Sequence, residues 1–407
     1  MSRSTEKICM FMPSAEGGHP RYVTELMTAI ARERRCGVEL LGSVNLLDEF
    51  SSDLYPVHRV LPALRPRKQF RMSVGWAINR VLHYPRQHHV LLRWLEQRPD
   101  ITAVHLQEWT PWLASWLIRR IHQMGKRVYY TVHNIVPHSY PPMVPKPLMH
   151  HWLRTACRQC DGLFVHTQKL ADQLAAFLDN RHPPIHVVPH GTWTIDAKFE
   201  PPPVEQRLAE RRLLFFGTIR RNKGLDVLLR AMEHLPGYSL TIAGDPIEEA
   251  WYREQILPLV KQLRDSGVQI DLKDRFIAEE EIPQLFATHG ALVLPYTPQF
   301  VAQSGVVFMA IAYQTPVIAS EVGGLRELLC EHPIGVTFDT LSPTVLADAV
   351  RRLHDKSTQF DLAERLRTAR RRLSWQSAAI ATLAGYSTAS HTATIPNDCS
   401  IETTSAA

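Results

Sequence analysis

Three cations fall within four residues in the stretch Gly217-Thr218-Ile219-Arg220-Arg221-Asn222-Lys223-Gly224, between the apolar run Leu213–Phe216 and a second apolar run at helical spacing. A strand that ends in a glycine turn and opens a helix sets cationic side chains beside free backbone N–H groups and the positive end of the helix dipole. The ligand such a loop suits is a diphosphate, with Arg220 and Lys223 as the working pair and Arg221 turned to solvent. The alternative is a surface turn with solvated charges. If a diphosphate leaves during a reaction, two fixed cations stabilise the charge that grows on it.

Other segments could serve the same chemistry. Gln303-Ser304-Gly305-Val306 follows Pro295-Tyr296 and opens an apolar helix, so a hydroxyl and backbone N–H groups are available to phosphate oxygens. Asp245, after Ala243-Gly244, stands at another strand end, where it could also cap a turn. Gly17-Gly18 follows the first strand and lets the backbone approach a diphosphate or sugar closely; a plain tight turn is the other reading. His133 lies just past the apolar strand Val128–Val132, where an imidazole could hydrogen-bond a sugar hydroxyl or be satisfied by a carbonyl. His138 is a weaker candidate. Cys157 and Cys160 form a C-x-x-C with no second pair, which reads as thiol packing. No D-x-D, Walker or H-E-x-x-H motif is present.

These residues need strands to carry them. Short apolar runs at Ile8–Met12, Val38–Leu41, Ala103–Leu106, Val128–Val132 and 163–166, each followed by a helical pattern, fill the first half, which closes on Val187-Val188-Pro189-His190-Gly191. Residues 59–97 read as a helix with an irregular, proline-rich entry. After the polar, proline-rich stretch Phe199-Glu200-Pro201-Pro202-Pro203-Val204, the pattern restarts with strands at 213–216, 239–243, 268–272, 291–294 and 316–319. Two alternating halves imply an α/β protein with two doubly wound parallel sheets and ligands at the carboxyl ends of the strands. The expected division is an N-terminal domain at 1–195, a linker at 196–206, a C-terminal domain at 207–373, a crossover helix at 374–388 returning to the first domain, and a disordered tail at 389–407.

Read in order, Glu16-Gly17-Gly18-His19, Thr131-Val132-His133-Asn134, Pro189-His190-Gly191, the Gly217–Gly224 loop, Ala243-Gly244-Asp245, Gln303-Ser304-Gly305-Val306 and Thr315-Pro316-Val317-Ile318-Ala319-Ser320 with Val322-Gly323-Gly324 resemble the family-4 glycosyltransferases of GT-B fold. The resemblance covers about residues 7–386. It implies two Rossmann-like domains around a cleft and transfer of a hexosyl group from a nucleotide sugar, UDP- or GDP-linked, to a saccharide or lipid-linked saccharide. Donor binding would fall to Gly17, Gly18, Gly217, Asp245, Gln303, Ser304, Gly305 and Val306, with Phe276 and Ile277 bordering the nucleobase. His133, Arg220 and Lys223 would be catalytic. The outcome expected is retention, without a metal or other cofactor.

The chain departs from the family at two places. Thr218 stands where the familiar arginine follows the first glycine, with Arg220 as its replacement. Val301 and Met309 occupy the positions of two glutamates that usually contact donor hydroxyls. Should the reaction invert instead, Glu108, in His105-Leu106-Gln107-Glu108-Trp109, is the candidate base with Glu16 behind it; its other reading is a helix-start carboxylate. Two rival functions remain: a catalytically inactive GT-B module binding a glycan or anion, and a nucleotide-sugar epimerase or hydrolase.

Composition sets the remaining bounds. The 407 residues exceed one ordinary core, and scattered cysteines with a polar start leading straight into a strand fit the cytoplasm, where the inner membrane face is the expected place if the basic stripe meets lipid. The net charge of +6 is uneven: residues 1–190 carry 24 Lys/Arg against 14 Asp/Glu, and residues 191–407 carry 22 against 26. Nine of the cations lie between Arg59 and Arg98, interleaved with Trp76, Tyr84 and Trp94. That stripe suits an anionic membrane, and with no nucleic-acid motif beside it nucleic acid is not expected; a solvated helix face is the alternative. The pathway expected is bacterial exopolysaccharide or surface-glycan assembly.

Overall fold

A computed structural model describes residues 6–15, 18–63, 74–135, 144–195, 199–300 and 304–391. Glu16, Gly17, Gln303, Val301, His138, Arg65, Arg67 and Lys68 lie outside them.

The first domain alternates β1 (Lys7–Met12), α1 (Gly18–Glu33), β2 (Gly37–Ser43), β3 (Val57–Leu61), α2 (Val74–Glu96), β4 (Ala103–Leu106), α3 (Pro111–Gln123), β5 (Arg127–Thr131), α4 (Lys146–Gln159), β6 (Gly162–Val165), α5 (Gln168–Phe177) and β7 (Ile185–Val187). The second begins with α6 (Val204–Ala209) and β8 (Arg212–Phe216). It continues through α7 (Leu225–Met232), β9 (Ser239–Ala243), α8 (Glu249–Trp251), α9 (Leu257–Asp265), β10 (Gln269–Lys273), α10 (Ile282–Thr288), β11 (Ala291–Leu294), α11 (Gly305–Ala312), β12 (Val317–Ser320), α12 (Gly323–Glu331) and β13 (Gly335–Phe338). It closes with α13 (Pro343–Leu353), α14 (Lys356–Gln359) and α15 (Leu362–Arg372), after which α16 (Trp375–His391) follows.

All strand pairs are parallel, in the orders β3-β2-β1-β4-β5-β6-β7 and β10-β9-β8-β11-β12-β13. Both faces of such sheets are covered, which is why β1, β4, β6, β11 and β12 read as unbroken apolar runs. Each order reverses once, between β1 and β4 and between β8 and β11. A doubly wound sheet opens its ligand crevice at that point.

Two corrections to the sequence-based elements follow. Val57–Leu61 is an edge strand beside β2, so residues 59–61 do not start a helix: Val57, His58, Arg59 and Leu61 pair with Leu40–Ser43, and Val60 is skipped at a register shift. β13 has no counterpart in the sequence reading. Its Gly335 is required because a Cβ there would lie 1.9 Å from the Val317 carbonyl oxygen.

The last helix leaves the second domain and lies on the first. Ala378, Ala379, Leu383 and Tyr386 are buried in one cluster with Tyr22, Leu26 and Met27 of α1. The helix runs to His391, so residues expected to begin the disordered tail are helical. Tyr386 fixes its register: the hydroxyl lies 2.6 Å from His105 Nδ1 in the buried centre of the sheet. Tyr386→Phe strands that nitrogen and should cost about 1–2 kcal/mol in urea unfolding; an unchanged midpoint would contradict the docking.

Candidate functional site

The two switch points face the same cleft, and most of the sequence-derived residues collect there. On the donor side, β8 ends in Gly217, whose φ of +106° frees the chain to turn. A Cβ on Gly244 would sit 1.8 Å from the Gly217 carbonyl oxygen, so the loops after β8 and β9 touch backbone to backbone. Ile219 N donates to Asp245 O at 2.9 Å, which makes Asp245 part of the loop's support. Gly224, at φ +64°, would place a Cβ 1.8 Å from Pro295 O, and Thr297 N donates to Asn222 O. The cationic loop is therefore pinned to the segment that follows β11.

That pinning determines the surroundings of Lys223. Its side chain is only 8% exposed, and Nζ stands 3.6 Å from the Tyr296 ring centre and 4.2 Å from that of Phe300. Among the described residues it forms no carboxylate pair. Burial, and secondarily the charge of Arg220, push its pKa down to about 7. Tyr296 in turn shares a 2.9 Å hydrogen bond between its hydroxyl and Ser304 Oγ, at the N-cap of α11. Val306 lies within 3.3 Å of where a Gly217 Cβ would be, so the open end of α11, with Gly305, faces the same turn. Arg221 binds Glu248 through its backbone N–H and is 70% exposed at the side chain. Met309 is buried in the second core, so no carboxylate stands at its position.

The loop after β10 is split. Phe276 is 71% exposed, whereas the Ile277 side chain belongs to the second core and cannot meet a ligand. What this loop can present at Ile277 is therefore its backbone, with the side chain turned into the core beneath.

On the other side of the cleft, Glu108 follows β4. It accepts from Ser14 Oγ at 2.7 Å and lies 2.9 Å from His19 Nδ1. Burial lowers the His19 pKa, but the hydrogen bond and charge of Glu108 outweigh it and the net shift is upward. His133, after β5, has Nδ1 3.0 Å from His166 Nε2, and His166 Nδ1 lies 3.2 Å from Val188 O. A carbonyl only accepts, so His166 is protonated at Nδ1 and receives at Nε2 the proton of His133 Nδ1. His133 Nε2 is left as a buried lone pair with no partner among the described residues. Burial, together with the neighbouring imidazoles, holds His133 well below the ordinary histidine range.

His19, His166 and His190 were not singled out as site residues by the sequence, although each stands in or beside a quoted motif or strand end. His190 stacks on Phe308 of α11 at 4.2 Å and approaches Trp375 at 5.6 Å, while Tyr22 touches His133, His166, His190 and Trp375. The histidine layer thus joins the first domain to the second. A cleft pocket of about 380 Å³ is lined by His133, Thr167, Lys169 and Gln173 on one wall and Gly323, Gly324 and Glu327 on the other. A larger groove of about 1110 Å³ beside β10 and α10, lined by Arg212, Asp271, Gln284 and His289, holds none of the residues above.

The chain matches the family description Glycosyltransferase Family 4 over residues 16–194 and Glycosyl transferases group 1 over residues 210–356. It belongs to the family-4 glycosyltransferases and has the GT-B fold. A D-inositol 3-phosphate glycosyltransferase of Xylanimonas cellulosilytica is 27% identical over 312 residues, 70% of this chain and 72% of that one. A glycogen synthase of Mycobacterium tuberculosis is 28% identical over 56% of this chain and 54% of its own length. Among solved structures, a sucrose-phosphate synthase from Thermosynechococcus elongatus superposes with a TM-score of 0.69 at 19% identity, covering 95% of this chain and all of that one. Anabaena HepE in complex with UDP gives 0.67 at 16%, covering 94% and 100%.

The buried imidazoles carry a pH dependence. His105, His133, His166 and His190 are all lowered by burial, so the unfolded chain binds more protons as pH falls below the ordinary value of 6.5. Stability is then fully present above 6.5 and is lost on acidification, by up to about 1.4 kcal/mol per pH unit for each group. Urea unfolding between pH 7 and 4.5 should show this fall, and a flat profile would contradict neutral imidazoles.

Proposed function

We propose that this glycosyltransferase moves a hexosyl group from a UDP- or GDP-linked sugar to a saccharide or lipid-diphosphate-linked saccharide in bacterial surface-glycan assembly. The observation that carries the donor assignment is Lys223: a cation closed between two aromatic rings, beside Arg220 and the open end of α11, lacks only an anion. UDP in the related HepE structure supports the same choice.

The reaction proposed is a same-face displacement that retains configuration and needs no metal. The bond from the anomeric carbon to the diphosphate breaks with its electron pair going to the phosphate oxygen, where Lys223, Arg220 and the N–H groups of Gly305 and Val306 receive the charge. The acceptor hydroxyl attacks from that side and its proton passes to the departing oxygen. His133 Nε2 accepts a hydrogen bond from a sugar hydroxyl, and its neutral ring spares the site a competing charge. Glu108, held by Ser14 and paired with His19, orients the acceptor. The anomeric configuration of the product tests this, since an inverted product would transfer the base role to Glu108.

Lys223→Met should lower transfer by about 10²–10³-fold, equivalent to ~3–4 kcal/mol, with the melting temperature kept. Near-normal activity would remove Lys223 from the donor site, and nucleotide binding without turnover in the parent protein would favour a binding module. Because a bound diphosphate raises the lysine pKa, UDP or GDP binding above pH 7 should take up a proton and weaken by up to about tenfold per unit. Calorimetry in buffers of different ionisation enthalpy reads that uptake directly. His133→Ala should depress transfer while leaving nucleotide affinity unchanged; a parallel loss of affinity would place His133 on the donor.

A further inference from the structure

Two cations of the stripe between Arg59 and Arg98, the two at its ends, are committed inside the molecule. Arg98 holds the buried Glu39 through two hydrogen bonds of 2.7 and 2.8 Å and also binds Asp100. Arg59 bonds the carbonyls of Leu46 and Leu47 and the hydroxyl of Ser51. Trp94 lies under Arg98 and against His58.

A second surface combines aromatic side chains and cations with no acidic residue. The helices α3 and α4 pack side by side, and their sequences, PWLASWLIRRIHQ and KPLMHHWLRTACRQ, contain no Asp or Glu. Trp112 and Trp152 meet edge to face at 6.3 Å across the pair. One turn onward along α3 stands Trp116, 42% exposed, and one turn back along α4 stands Leu148, 41% exposed. Arg119, Arg120 and Lys146 are exposed beside them. None of the three has a carboxylate partner among the described residues, whereas Arg154 and Arg158 are tied to carbonyls. Tryptophans and a leucine with a cationic rim suit a membrane interface, where the ring sits at headgroup depth and Lys or Arg meets lipid phosphate.

The position of this face fits its chemistry. In a parallel α/β domain each helix starts at the carboxyl end of the preceding strand. The first turn of α3, which includes Trp112, begins three residues after Glu108, and the start of α4, with Lys146 and Leu148, lies at the same end of the sheet. The apolar face therefore rises beside the acceptor half of the cleft.

We propose that the α3–α4 pair, through Trp112, Trp116, Leu148 and Trp152 with Arg119, Arg120 and Lys146, docks on an anionic lipid bilayer and holds the cleft at its surface. The proposal rests on the acceptor being lipid-linked only for its purpose, and binding is measurable without any acceptor. The probe is flotation of the full chain with phosphatidylcholine vesicles with or without phosphatidylglycerol. The parent protein should float with the anionic vesicles and detach as salt rises. Arg119→Glu/Arg120→Glu/Lys146→Glu and, separately, Trp116→Ser/Leu148→Ser should each reduce the bound fraction at least tenfold, while melting temperature and UDP affinity stay unchanged. As the second set touches only exposed side chains, it remains informative if charge reversal perturbs folding. Failure of the parent to float, or equal flotation of parent and both variants, overturns the proposal. A face that ignores vesicles but binds a stoichiometric acidic protein assigns it to a protein partner instead. Loss of flotation with donor hydrolysis intact separates this surface from the donor chemistry, and the converse result leaves it standing if the proposed transfer fails.

Discussion

A lysine ammonium enclosed by Tyr296 and Phe300 is the electrostatic problem around which the second domain is organised. The rings supply quadrupole attraction but no negative charge. Burial therefore lowers the lysine's pKa to about 7, so that near neutral pH the charged and uncharged forms are in balance. Everything that keeps it there is backbone geometry: Gly224 against Pro295, Gly244 against Gly217, and Thr297 bonded to Asn222.

The first domain answers with neutral groups. His133, His166 and His190 are kept uncharged by burial and by one another, so the wall opposite the cation offers lone pairs and aromatic surface in place of charge. The layer extends through Tyr22 to Phe308 and Trp375, which belong to the second domain and its crossover helix. Packing between domains and the open Nε2 of His133 thus involve the same layer of rings. Lys169 N donating to Glu327 at 2.9 Å adds a polar contact across the cleft mouth.

The alternation of strands and helices was legible because parallel strands buried on both faces read as short apolar runs. It failed where that signal fades. β3 lies at a sheet edge with only Leu61 fully buried, and β13 alternates buried with half-buried residues. The donor loop was equally legible, since glycines and cations at a strand-to-helix turn are a local pattern. The inward turn of the Ile277 side chain was not, because a side chain's direction in an irregular loop depends on the core beneath it. The histidine relay also escaped the sequence, as its members come from β-strand ends some thirty residues apart.

By itself the sequence determined the two-domain α/β plan, the family, and the glycine-bounded cationic loop after β8. All of these depend on periodicity and on neighbours a few residues away. The tertiary structure decided which charges remain usable. Arg98 is absorbed by Glu39, Lys223 is isolated between rings, and His133 is set in one tautomer through His166 by the carbonyl of Val188, one residue past the end of β7. Desolvation and pairing are properties of a place in space, and residues distant along the chain create that place.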